Sequence, residues 1–314
     1  MKNLLWILLL LTITIREKLP PKNEIAQKDQ DCLVLFWNLE NFFTTSLHFY
    51  EKLNRVAKHI FIASEGNLPI IIGVSEIENF QVAWRLVNVT ALARGEYGIV
   101  HADSPDHRGI DVALFYKKER FKVLYRKFKP IINSEGELVR TRSILYVKGV
   151  LDHLDTLHLF VMHWPSKWGG ERASTPLREA AASALSGEVD SILAINQSAN
   201  IIAMGDLNEE ASGISHMVLS LNILSPVKRG APGTIKYNGK WETIDHFMVS
   251  ANMMNNLEPV FCKDTSSFIY SHPNLLEKDR AFLGVKPKRS FIGPRYNGGV
   301  SDHLPVVLRI TRSW

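Results

Sequence analysis

Ile201-Ile202-Ala203-Met204-Gly205-Asp206-Leu207-Asn208 is a run of four apolar residues that ends in a glycine, a carboxylate and, two residues on, an amide. An apolar run of this length, rich in β-branched residues, reads as a buried strand. Side chains alternate along a strand, so Asp206 and Asn208 fall on one side of its continuation. Taken alone, Gly, Asp and Asn at these positions are also what a turn selects. The rest of the chain repeats the figure. Runs rich in Val, Ile, Leu and Phe occupy 33–37, 69–74, 111–116, 144–151, 156–163, 243–249 and 304–310, and polar residues gather at several of their ends. Asn38, Glu40 and Asn41 follow the first, Glu76 and Glu78 the second, His163 ends the run 156–163, and Asp302 and His303 stand just before the last. Strand ends that meet at one edge would assemble a site of carboxylates, amides and imidazoles.

Between these runs, 49–64, 82–93, 176–194 and 213–221 carry helical spacing, and Leu53, Val56 and Ile60 mark a core-facing stripe. Helices between some strands and short links between others predict an α/β protein in which two sheets pack face to face with helices outside. No repeat or linker divides residues 31–314, which read as a single domain. The start differs. Lys2 and the apolar run to Ile15 fall short of the ~20 residues that cross a bilayer, so 1–15 reads as a signal peptide or N-terminal anchor. The polar stretch 16–30, with Pro20-Pro21, reads as a tether. Export is therefore expected, to the periplasm, to the outside or to a membrane face; no small-x-small cleavage pattern follows, which leaves an uncleaved anchor open.

The chain has 314 residues, 46% hydrophobic and 22% charged, with a formal charge of +5. That balance suits a globular protein and permits a phosphate-rich substrate, although part of the excess lies in the leader and tether. Cys32 and Cys262 could pair in an oxidising compartment or stay as buried thiols, and the sequence does not choose. No Cys/His cluster of the kind that holds zinc is present.

Ser301-Asp302-His303-Leu304-Pro305 places an acid beside an imidazole at the mouth of the final strand, a pairing that offers a metal ligand and a general acid/base together. Glu76 ends a strand apolar enough to be buried on both faces, where a carboxylate suits a hard metal ion. Hydrolysis at phosphorus needs charge neutralised on non-bridging oxygens, a positioned water and help for the leaving oxygen, and these residue types cover all three.

The ordered motifs Trp37-Asn38-Leu39-Glu40-Asn41, Ser75-Glu76, Arg108-Gly109-Ile110-Asp111-Val112-Ala113-Leu114, His163-Trp164-Pro165-Ser166, Gly205-Asp206-Leu207-Asn208, Thr243-Ile244-Asp245-His246 and Ser301-Asp302-His303 resemble those of the endonuclease/exonuclease/phosphatase superfamily. The His-Trp-Pro-Ser motif and the segment Phe282 to Gly299 resemble a bacterial, exported branch of it. The resemblance implies a four-layer α/β/β/α sandwich of deoxyribonuclease I type, with two packed, mostly antiparallel sheets and the site at one edge. By resemblance, Glu76 would be the principal Mg²⁺ or Mn²⁺ ligand, helped by Asn38 and Asp302. Asp206 would orient or deprotonate the attacking water, and Asn208 would hold a phosphate oxygen. His303, paired with Asp245, would stabilise or protonate the phosphoryl group.

His163 would contact the scissile phosphate or assist the leaving group, with Asp111 orienting it and Arg108 binding phosphate. Arg172 and Arg178 offer further guanidinium donors. The segment 282–299 reads as a long loop near the site. The implied function is a divalent-metal-dependent phosphoesterase, with nucleic acid favoured as substrate because the chain is basic and shows no apolar membrane-inserting hairpin. A phosphomonoesterase or lipid phosphodiesterase of the same fold is the alternative, and a non-catalytic binding protein is the alternative of another class. No stable protein partner is inferred, and the chain reads as a monomer.

Overall fold

The computed structural model describes residues 31–167, 169–255 and 258–312; the leader and tether expected over 1–30 lie outside the described residues. The leading strands are β1 (Asp31–Phe42), β2 (Ile71–Ile77), β3 (Tyr97–His101) and β4 (Asp111–Lys117). They are followed by β5 (Phe121–Lys129), β6 (Ile144–Leu151), β7 (Asp155–His163) and β8 (Asn200–Asp206). The helices are α1 (Phe49–Ala63), α2 (Phe80–Asn88), α3 (Glu171–Ile195) and α4 (Ala211–Met217).

One sheet runs β3-β4-β2-β1 and continues into the final strand, Val306–Arg312, with short strands beyond. The other runs β5-β6-β7-β8 and continues into the strand Asp245–Val249. The pairs β1–β2 and β7–β8 are parallel, while β1 with the final strand, β2–β4, β5–β6, β6–β7 and β8 with Asp245–Val249 are antiparallel.

Period-two alternation separates the two faces of the second sheet. Leu157, Leu159 and Val161 of β7, Ile202 and Met204 of β8, and Phe247 and Val249 enter the core shared with the first sheet. Phe160, Met162, Ile201, Ala203 and Met248 turn the other way, onto Ala181, Ala182, Leu185 and Val189 of α3 and Ile214 of α4. On the far side, Leu53, Val56, Ala57 and Ile60 of α1 cover the first sheet. The result is the expected four-layer sandwich. Between the sheets, a Cβ on Gly73 of β2 would stand 2.7 Å from Met204 Sδ, so no larger residue fits without displacing Met204.

Some elements differ from the sequence reading. Strands β3 and β5 were not expected: Gly98 interrupts the apolar run of β3, and β5 is an edge strand whose Lys and Arg residues hide its alternation. Helix α3 starts at Glu171 rather than at Pro176, because a proline near the first turns removes only one backbone hydrogen bond. The segment 282–299 is not a plain loop. Val285–Pro287 pairs with Leu276–Lys278, and Phe291–Ile292 pairs with Arg295–Tyr296. Cys32 and Cys262 are both buried thiols.

Candidate active site

Two neighbouring strands of the first sheet lose their regular register at the same level. Pairing of β1 with β2 jumps from Asn38 to Phe42, and pairing of β2 with β4 jumps from Ser75 to Ile77. Glu40 (φ 47°), Asn41 (φ 46°) and Glu76 (φ 60°) take left-handed backbone within these bulges, as does Asn208 (φ 49°) just past β8. Non-glycine residues avoid that region, and bulges re-aim side chains that a regular pleat would send elsewhere. Here the bulges let Asn41 N donate to Glu76 Oε2 at 2.8 Å and Glu40 N donate to Asn38 Oδ1 at 2.9 Å.

The second sheet supplies the facing wall. His163 pairs with Asp206 across β7–β8, and Asp245 pairs with Asp206 across the next strand, so the three stand side by side on adjacent strands. Their positions continue the alternation that points Val161, Met204 and Phe247 between the sheets, and all three are buried. Asn38 Nδ2 donates to Asp206 Oδ2 at 2.9 Å across the seam, and Asn208 N donates to Asp206 Oδ1 at 3.0 Å. His303 arrives from the first sheet. Trp37 Nε1 donates to its carbonyl at 2.9 Å, and its own N–H donates to Ser301 Oγ at 3.0 Å, while Ser301 Oγ donates to Asn38 O at 2.6 Å. Its ring then lies with Nδ1 2.8 Å from Asp245 Oδ2 and Nε2 3.7 Å from Asp206 Oδ2.

These contacts set opposite charge states on the two imidazoles. Burial disfavours a charge on His303, but the carboxylates of Asp245, Asp206 and Asp302 outweigh it and lift its pKa well above the ordinary value. Burial, together with Arg142, Arg108 and His303, holds His163 well below the ordinary histidine value. Asp206 is pushed up to about 7 by burial, against the pull of His303 and with the push of Asp245. At neutral pH the centre therefore holds an imidazolium, a neutral imidazole and a carboxyl group poised near its midpoint.

His163 Nε2 lies 3.5 Å from Asp206 Oδ2 and 3.8 Å from Glu76 Oε1, while Arg108 Nη1 lies 3.9 Å from the same Glu76 oxygen. Sequence reading missed what braces this side. Arg142, buried, donates from Nε to His163 O at 3.1 Å and from Nη2 to Trp164 O at 2.6 Å, and its Nη1 is paired with Asp106 Oδ2 at 2.9 Å. Asn208 Nδ2 donates to the same Trp164 carbonyl at 3.0 Å, leaving its other amide hydrogen for a ligand. Lys52, Arg142 and Asp106 carry no local sequence signal, since a lone charge reads as solvated surface until its burial is known.

Expectations for Asp111 and Arg178 change. Asp111 does not orient His163: its Oδ2 meets His101 Nε2 at 3.1 Å and its Oδ1 accepts from Ser104 N at 2.8 Å, both on the side where β4 pairs with β3. Nor is a buried carboxylate suited to hold phosphate directly. Arg178 is fully buried, with Nη1 donating to Ser174 Oγ at 2.9 Å and Nε 3.2 Å from Glu209 Oε2, so helix α3 turns it inward rather than toward a ligand. Arg172 is exposed on the first turn of α3. Arg289 reaches the site, but onto carboxylates: its Nε donates to Glu40 Oε1 at 2.6 Å and its Nη2 lies 3.1 Å from Asp302 Oδ2. Lys52 Nζ donates to Glu40 O at 2.6 Å, and burial lowers its pKa to about 8 although Glu40, Asp302 and Glu76 oppose the fall.

The donor set fits a hard divalent cation. Glu76, Asp302 and Asn38 offer oxygens at the bulged end of the first sheet, the chemistry that Mg²⁺ and Mn²⁺ prefer. Asp206, Asp245 and His303 also have ligand atoms mutually within 4.8 Å, but the 2.8 Å hydrogen bond to Asp245 occupies His303 Nδ1 and favours proton chemistry there. His101, Asp103 and Asp111 form a second such group.

The sequence profile described as the endonuclease/exonuclease/phosphatase family matches residues 36–312. A search of curated proteins gives no match. Among solved structures, an endonuclease/exonuclease/phosphatase family protein from Bacteroides thetaiotaomicron superposes with a TM-score of 0.62 at 14% identity, covering 90% of this chain and 98% of that one. Truncated Caenorhabditis elegans TDP2 gives 0.58 at 17% identity over 90% and 98% of the two chains. D. rerio TDP2, crystallised with a single-strand DNA product, gives 0.57 at 13% identity over 90% and 99%. Enzymes of this family hydrolyse phosphate esters with a divalent metal, and acidic and histidine groups stand in place for one here. The chain belongs to the endonuclease/exonuclease/phosphatase family.

Proposed function

We propose that the protein is a divalent-metal-dependent phosphodiesterase acting on nucleic acid. The observation that carries the reading is the row His163, Asp206, Asp245 on adjacent strands, closed by His303. Glu76, with Asn38 and Asp302, would hold Mg²⁺ or Mn²⁺, which would supply positive charge for the phosphate's non-bridging oxygens. Asp206, fixed by Asn38 and by the Asn208 N–H, takes a proton from the attacking water at its carboxylate oxygen. The His303 imidazolium, kept charged by Asp245, stabilises the charge that develops on the phosphoryl oxygens. Neutral His163, braced through its carbonyl by Arg142, positions the scissile group. The free amide hydrogen of Asn208 and the guanidinium of Arg108 hold phosphate oxygens.

Nucleic acid is favoured by the net charge of +5 and by the structural neighbour crystallised with a single-strand DNA product. Purified protein incubated with Mg²⁺, with and without chelator, against plasmid DNA, RNA, sugar phosphates and sphingomyelin tests the reading. Plasmid nicking or RNA cleavage is expected; release of phosphate from sugar phosphates alone, or cleavage of the lipid alone, would replace it by the other members of the fold. We also propose that the chain is exported by residues 1–15, which N-terminal sequencing and cell fractionation would check.

A further inference from the structure

A cavity of about 440 Å³ opens beside the row of site residues, between the loop before β4, the segment before β6 and the start of α3. Arg108, Arg140 and Arg142 line it, and the acid among its lining residues, Asp106, is paired with Arg142 at 2.9 Å and with Arg108 at 3.6 Å. Arg108 and Arg140 are both exposed residues. Half-buried Val139 and Leu177 and buried Pro165 are its apolar lining residues. Two of the lining arginines also touch the catalytic centre: Arg108 stands 3.9 Å from Glu76, and Arg142 grips the carbonyls of His163 and Trp164.

We propose that this cavity is the subsite for the nucleotide next to the scissile phosphate, an inference that rests on the phosphodiesterase reading above. Arg140 takes the flanking phosphate, and Val139, Pro165 and Leu177 take the face of its base. A free inorganic anion leaves most of the space and the apolar lining residues unused, whereas pockets of ~300–1,000 Å³ with convergent polar groups suit ligands of nucleotide size. Guanidinium groups at a phosphate and apolar side chains at a ring are the division of labour that such a ligand needs. The subsite thus selects chains of nucleotides over diesters that carry no neighbour.

The test pairs binding with kinetics. Thymidine 5′-monophosphate and inorganic phosphate are titrated separately into the metal-free full chain by calorimetry. The nucleotide should bind more tightly than phosphate, Arg140→Ala should weaken it by roughly tenfold, and Leu177→Asp should erase the preference for it. In parallel, kcat/KM is compared for a five-nucleotide single strand and for bis(p-nitrophenyl) phosphate, which has no flanking phosphate. The ratio of the two should fall by about tenfold in Arg140→Ala, chiefly through KM. Equal nucleotide affinity in wild type and Arg140→Ala, or an unchanged ratio, overturns the subsite. If wild type cleaves neither diester, the phosphodiesterase reading fails, and the titration still decides the cavity.

Discussion

Asp245 and Asp206 face one another on adjacent antiparallel strands, and the His303 ring lies against both, 2.8 Å from the first and 3.7 Å from the second. Two carboxylates on one imidazole make it a cation inside a buried site, despite the burial that opposes any charge.

Removing one of those carboxylates should therefore act through His303. Asp245→Asn keeps the shape but takes away the charge that holds the imidazolium, so kcat should fall by ~10²–10⁴. The alkaline limb of the pH–rate profile should also move to lower pH, because His303 then loses its proton sooner. His303→Ala should fall as far without that limb. A rate within threefold of wild type in either variant, with circular dichroism unchanged, would remove His303 from the mechanism.

Asp206→Asn separates function from stability. Turnover should drop by at least ~10², and adding His303→Ala should cost far less than the product of the two single effects, since the residues serve one step. Stability should move the other way. The folded-state pKa of Asp206, about 7, lies above its ordinary value of 3.8, so the folded state keeps a proton that the unfolded chain has released. That contribution is fully present below pH 3.8 and is lost as pH rises through about 7. The neutral amide escapes the loss, and metal-free Asp206→Asn should melt above wild type at pH 8, with the gap closing toward pH 4. Thermal unfolding in chelator at both pH values measures it.

Metal dependence should follow the oxygen donors. EDTA is expected to abolish hydrolysis, and Mg²⁺ or Mn²⁺ to restore it; Glu76→Gln should raise the half-saturating Mg²⁺ concentration by more than tenfold, because an amide oxygen replaces a charged ligand. Full activity in chelator contradicts the assignment.

Arg289 gives this metal reading an independent check. Its guanidinium lies on Glu40 and Asp302 and so offsets negative charge beside the proposed ligands. Arg289→Ala should lower the Mn²⁺ concentration that half-saturates the protein, read by electron paramagnetic resonance of free Mn²⁺ without substrate present. An increase instead would assign Arg289 to holding the hairpin Phe291–Ile292/Arg295–Tyr296 in place.

What the sequence determined was the set of strand ends and the chemistry waiting at them. Apolar runs closed by Asn38, Glu76, His163, Asp206 and His303 stand in a fixed order, and alternation alone puts Met204 and Asp206 on one face. Tertiary structure decided which of these ends meet. Registers between β7, β8 and Asp245–Val249 bring His163, Asp206 and Asp245 abreast, a pairing that no local pattern encodes because it joins residues 163, 206 and 245 through backbone hydrogen bonds. The same holds for the partners that sequence misassigned. Asp111 meets His101 and not His163 because its strand pairs with β3 close to His101, and Arg178 turns into the protein because it shares the buried face of α3 with Ala181, Ala182, Leu185 and Val189. Ion pairs such as Arg142 with Asp106 and Arg289 with Glu40 become readable only when burial is known, since the same side chains on a surface would be solvated charges with no partner to identify.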